Sequence, residues 1–287
     1  MSKRAYYETV AAAIKDFARH GYDSQERLDF WRAQIEKAAK ASLGSIEDME
    51  RDVRKTMTLA YYKLVTRGGL LKRMPQISAY TLQRLTPALQ AELNRRIMSS
   101  IDLIKINRPV AIAKTLQRFS GWATSVPEGG FPSDIRKGAY KYVTVKSDVQ
   151  KSMTSLPFEE RRVIIDQNAK LVSALNTVTA EAGGAIAAIW QSHKAQKNYD
   201  GRPAHNARDG KIFLVRDNWA IQKGLVKRGA GEYTDSIEQP GEFVFCRCSW
   251  IYVFNVRDLP ADWLTKKGEE ALAEARRKTK EMLGGKS

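Results

Sequence analysis

The chain has 287 residues, 43% of them hydrophobic and 9% aromatic, and a formal net charge of +16. This is long enough for one large or two modest domains, and too apolar for wholesale disorder. It contains no apolar run of the roughly 18 residues that a membrane span needs, its first residues lack the apolar core of a signal peptide, and two cysteines one residue apart make no disulfide framework.

Helical spacing dominates the first half. Tyr6, Val10, Ile14 and Phe17 recur on one helical face, as do Leu28, Trp31, Ile35 and Ala39 on a second helix with Ser24 as its N-cap. Ser45 and Asp48 have the spacing of a capping box and open a third helix with the stripe Ile46, Met49, Val53, Met57, Ala60 and Leu64. Gly68 and Gly69 end it. Thr86-Pro87 sets up a new helix start, with Leu89, Leu93, Ile97, Ile101 and Ile104 as the clearest amphipathic stripe in the chain. Asn107-Arg108-Pro109 punctuates that helix, and Val110, Ala113, Leu116 and Phe119 continue on another.

Five Gly or Pro residues between Gly121 and Pro132 mark a loop or linker. Residues 133–155 read equally as strand or helix, and a long helix follows from Pro157 to Ala182. Beyond Gly183-Gly184 the pattern turns mixed. Strands are expected at Ala185–Trp190, at Lys211–Val215 and at Phe243–Val256. On the last of these Cys246 and Cys248 share a face by parity. Residues 216–240 read as an exposed excursion, and Thr265–Leu283 as a charged helix or arm. The expected fold class is α+β: a helical, basic N-terminal region at 1–120, a linker and long helix at 121–183, a small mixed α/β domain at 184–257, and a charged tail at 258–287.

The charge is unevenly placed. Val53–Arg118 carries 13 Lys or Arg against Glu92 and Asp102, which is +11 of the total +16. Such a concentration predicts a polyanionic or acidic partner, with well-solvated helices as the plainer alternative. The candidate nucleic-acid contacts are Lys72, Arg73, Arg95, Arg96, Lys105 and Arg108.

The C-terminal part carries Trp190, then Arg202-Pro-Ala-His205, Asp209-Gly210-Lys211-Ile-Phe213, Gly241-Glu242 and Cys246-Arg247-Cys248. Three readings of these residues compete. The first is structural: Arg202 and His205, three apart, share a helical face and tie the domain to Asp209 or to the turn before Lys211, while the cysteines pack beside Trp250. The second is a zinc site built from Cys246, Cys248 and His205, with Asp209, His193 or water as the fourth ligand. The third is RNA cleavage, with His205 as acid or base and Arg202 or Arg247 holding the phosphate. The first is preferred, so no cofactor and no catalytic residue is assigned. Phosphate-binding loops, H-E-x-x-H and G-x-S-x-G are absent from the sequence, and packaging-motor ATPase activity goes with them.

This order of motifs resembles the C-terminal domain of phage minor head proteins, the head-morphogenesis family of the phage Mu F type. The resemblance covers roughly residues 184–257, about a quarter of the chain. It implies a few-copy capsid component assembled in the host cytoplasm, bound to the portal inside the procapsid beside capsid or scaffold proteins and packaged DNA. Some such proteins enter the host with the DNA. The chain departs from the family at Phe245, where a His-Pro-x sequence more commonly precedes C-R-C. A phage-encoded RNase or toxin-like effector, and a nucleic-acid-binding protein outside any virion, are the alternative functions.

Overall fold

The computed structural model describes residues 3–132, 139–193 and 201–284. The fold is α+β: among the described residues, helices make up most of the first 182 positions, and a small antiparallel sheet lies in the C-terminal part. The chain divides into two compact units, Met1–Lys55 with Met98–Ile165, and Thr56–Ile97 with Asp166–Ser287.

The first unit is all helical. It contains α1 (Lys3–His20), α2 (Gln25–Ser42) and the start of α3 (Ile46–Tyr61), together with portions of α5 (Ala79–Ala123) and α6 (Ala139–Ala182). Ser24 caps α2 by accepting from the Arg27 N–H, and Ser45 caps α3 by accepting from the Asp48 N–H. The predicted stripe of α1 is buried at all four positions, against Leu28, Ile35, Ala39, Phe119 and Val149. Phe17 meets Phe119 edge-on, with ring centroids 5.7 Å apart.

Several predicted boundaries differ. The regular part of α3 ends at Tyr61 and a π-helical turn, Tyr62–Thr66, follows before α4 (Gly69–Arg73). Gly68, at φ 71°, supplies the left-handed residue between them. No helix starts at Thr86-Pro87. The helix begins at Ala79, capped by Ser78, and runs through both Pro87 and Pro109. An interior proline costs about 3 kcal/mol. Leu89, Leu93, Ile97, Ile101 and Ile104 are all buried, and each such side chain contributes about 1.5–3 kcal/mol. Apolar burial therefore outweighs the proline penalty. The same holds for α6, which contains Pro157 and begins at Ala139. Part of the ambiguous stretch 133–155 is thus helix, and its first six residues lie outside the described ones.

The second unit carries the sheet: β1 (Ala187–Gln191), β2 (Ile212–Leu214) and β3 (Ser249–Val253), in the order β2-β1-β3, all antiparallel. Ala188 pairs with Phe213 on one side and Tyr252 on the other, and Trp190 pairs with Trp250. Between β1 and β2 lies the short helix α7 (Pro203–Asn206). Residues 216–240 are not an exposed excursion. They hold α8 (Trp219–Gln222), capped by Asn218, and bury Ala220, Ile221, Val226 and Thr234. The tail is α9 (Lys266–Gly284). The predicted strand Phe243–Val256 shrinks to five residues, so Cys246 precedes β3 rather than lying on it.

Candidate functional site

The motif residues gather around Trp190, near the end of the central strand β1. Its indole is fully buried and lies edge-on to Trp250, at 5.1 Å, and to the His205 imidazole, at 5.2 Å. Pro203 at the first position of α7 fixes the turn that presents His205. His205 is 3% exposed. Ser192 holds this turn from below: its hydroxyl donates to the His205 carbonyl at 2.6 Å and accepts from the Trp190 indole at 3.2 Å. Asp209 accepts from the Ser192 N–H at 2.7 Å. Gly210, at φ 77°, donates its N–H to the Trp190 carbonyl, which returns the chain to β2.

The segment before β3 closes over the imidazole. Phe245 has φ 60°, and its N–H donates to the Asp166 carboxylate at 2.6 Å. The Cys246 N–H donates to the Phe243 carbonyl. A turn, not a strand pleat, therefore aligns the two thiols. Both sulfurs lie 3.5 Å from Nδ1 of His205. Cys246 is buried and Cys248 half-buried. Arg202 donates to the Val244 carbonyl at 3.0 Å and its guanidinium lies 5.0 Å from the Phe243 ring centroid. Gly241 packs its backbone beside Ser173, whose hydroxyl donates to the Pro240 carbonyl, and Glu242 accepts from the Gln239 N–H.

On the far side of the ring, His205 Nε2 lies 3.6 Å from the Glu238 carboxylate, which Arg208 holds at 2.9 Å. The Arg208 bond, more than the neighbouring charges, keeps the Glu238 carboxyl below the usual carboxylate range. The hydrogen bond from Cys248 leads in pulling the Cys246 thiol down to about 5, against the opposing effect of burial. The same bond leads in pushing the Cys248 thiol up.

Arg202, His205, Cys246 and Cys248 come together as the sequence led one to expect, but through other partners. Arg202 and His205 reach the segment before β3, and Asp209 serves the Ser192 amide instead. Asp209 is not among the ligand atoms gathered at the thiols, which are those of His205, Cys246 and Cys248. Arg247 is exposed. The imidazole is walled by Trp190 and Phe243, a poor surface for a polynucleotide phosphate. Glu238 and Arg208, which the sequence reading missed, complete the cluster. Their 30-residue separation carries no local signal.

The candidate polyanion contacts divide into two groups. Arg95 and Arg96 both bond to Glu92, Lys105 bonds to Glu50 at 2.6 Å, and Arg108 is buried against Glu160 and the Gly44 carbonyl. Lys72 and Arg73, at the end of α4, are exposed, as are Lys63 and Arg67 just before it. No family model, curated protein or solved structure matches this chain.

Proposed function

We propose that the protein is a phage minor head protein, a component of head morphogenesis that associates with the portal inside the procapsid and lies against packaged DNA. The observation that carries this reading is the convergence of the motif. Trp190, Arg202, His205, Asp209, Gly210, Cys246 and Cys248 are spread over 59 residues, yet they form one set of contacts, linked through Ser192 and Phe243, at the end of the central strand. The motif residues thus belong to one local cluster of the fold. Its resemblance to the head-morphogenesis family supplies the function.

The basic segment supports the location. Thr56–Ile97 carries seven Lys or Arg against Glu92 alone, and Lys63, Arg67, Lys72 and Arg73 are exposed. Exposed cations without base-reading partners suit non-specific contact with phosphates, driven by counterion release. The protein is expected in purified procapsids at far lower copy than the major capsid protein. Quantitative mass spectrometry of purified particles checks this, and absence from both procapsids and virions would end the reading.

A further inference from the structure

The geometry points to a zinc site formed by Nδ1 of His205 and the sulfurs of Cys246 and Cys248, with Glu238 as the carboxylate that orients the histidine from outside.

The first argument is a count of lone pairs. In the tautomer with its proton on Nε2, the imidazole has one lone pair, at Nδ1. Two sulfurs stand 3.5 Å from that nitrogen, at equal distance. That lone pair accepts from one thiol at most. A metal ion engages all three atoms at once.

The second argument is size. In tetrahedral zinc sites the metal lies about 2.3 Å from sulfur and about 2.0–2.1 Å from nitrogen, which sets ligand nitrogen and sulfur about 3.6 Å apart. The observed separations of 3.5 Å match that edge, and all three ligand atoms lie within 4.8 Å of one another. Two thiolates and an imidazole are also the donor types that select zinc over calcium or magnesium.

The third argument lies outside the ligands. Metal-bound histidines usually donate their other N–H to a carboxylate, a backbone carbonyl or water, which fixes the tautomer. His205 Nε2 is buried with no hydrogen bond, and the Glu238 carboxylate stands 3.6 Å from it, itself held by Arg208. A fourth ligand, water or a further donor, completes the tetrahedron. The bound ion clamps α7 to the segment before β3, joining residues 41 apart in the chain.

The test uses the full chain, purified without a histidine tag under a non-thiol reductant, stripped with a chelator at mild acidity and reloaded with zinc chloride. After gel filtration, elemental analysis is expected to find one zinc per chain, and thermal unfolding is expected to shift upward on reloading. Cys246→Ser and Cys248→Ser should each lose the metal. Cobalt(II) added to the stripped wild type should give a thiolate-to-metal charge-transfer band. That measurement stands even where a cysteine variant fails to fold. Glu238→Gln, at a partly exposed position, should fold and bind zinc about 10–100-fold more weakly. A wild type that retains no zinc and gives no charge-transfer band overturns the site. So does zinc that survives in the Cys246→Ser, Cys248→Ser double variant. Neither result depends on whether the protein is found in particles.

Discussion

In the first unit, the Asp16 carboxylate accepts from Arg27 Nε and Nη2 at 2.9 and 2.7 Å, from the Trp31 indole at 2.7 Å, and pairs with His20 Nδ1 at 3.1 Å. Arg27 also bonds to Asp23 and lies over the Phe17 ring. In the second unit, the His205 cluster also sits on an aromatic wall, with Arg208 over Trp190. The difference is in what is satisfied. Around Asp16 the donors and acceptors match, so the set is closed. Around His205 two sulfurs share one nitrogen, and Nε2 stops short of its carboxylate. A buried polar group without its partner is costly, so a set left in this state points outward to something it binds. A closed set points only to folding.

The largest effect should come from removing the wall itself. Trp190→Ala deletes a fully buried side chain that touches both Trp250 and His205. Truncation of a buried tryptophan costs about 3–5 kcal/mol. Urea unfolding should show this as a lower midpoint, and zinc retention should fall with it. A small decrease would mean that the aromatic wall relaxes around the cavity and that the cluster has other support.

Asp16→Asn tests the closed set. It should lower stability by about 1.5–3 kcal/mol, the range for hydrogen bonds to charged groups, and should be indifferent to zinc. Burial alone would raise the Asp16 carboxyl, but the bonds from Arg27 and Trp31 outweigh it and hold the group below its ordinary range. Its stabilising contribution is therefore complete above the unfolded carboxyl value of about 3.9 and is lost as pH falls through the lower folded value. The gap between wild type and variant should narrow below about pH 4. A gap that is constant with pH would assign the effect to packing rather than charge.

Glu238→Gln should be milder still in the metal-free protein. Its ion pair with Arg208 is partly exposed, and such pairs contribute about 0–1 kcal/mol. The contrast sharpens once zinc is present, because only then does the Glu238 carboxylate act through His205. Equal effects with and without metal would leave Glu238 as a simple surface partner.

The sequence made some of this legible and hid the rest for identifiable reasons. The N-caps Ser24 and Ser45 and the apolar stripe of α1 are local signals, and they appear in the structure as read. The helix breaks expected at Pro87 and Asn107-Arg108-Pro109 do not occur, because burial along α5 outweighs a local penalty that sequence windows weigh alone. The cysteines do meet His205, but for another geometric reason. A positive φ at Phe245 and the bond from its N–H to Asp166, 79 residues away, replace the expected pleat. Glu238 and Arg208 have no sequence signature at all, since only the folded chain sets them beside the ring.

The same separation of committed from uncommitted groups applies to the basic segment, where the effect should be smallest and most specific. Arg95 and Arg96 share Glu92, whose carboxyl stays below its usual range because these two bonds outweigh its burial. A phosphate would have to compete with that carboxylate. Lys72 and Arg73 are exposed at the end of α4, where no such carboxylate holds them among the described residues. Lys72→Gln with Arg73→Gln should therefore weaken binding to mixed-sequence duplex DNA more than Arg95→Gln with Arg96→Gln. The slope of log affinity against log salt should fall by about 0.9 for each phosphate that the variant no longer neutralises. Fluorescence anisotropy across a salt series measures the slopes of both variants beside the wild type. A larger change in the Arg95 and Arg96 variant would show that DNA breaks the Glu92 pairs on binding. An unchanged slope in both would turn the basic surface toward an acidic protein partner instead.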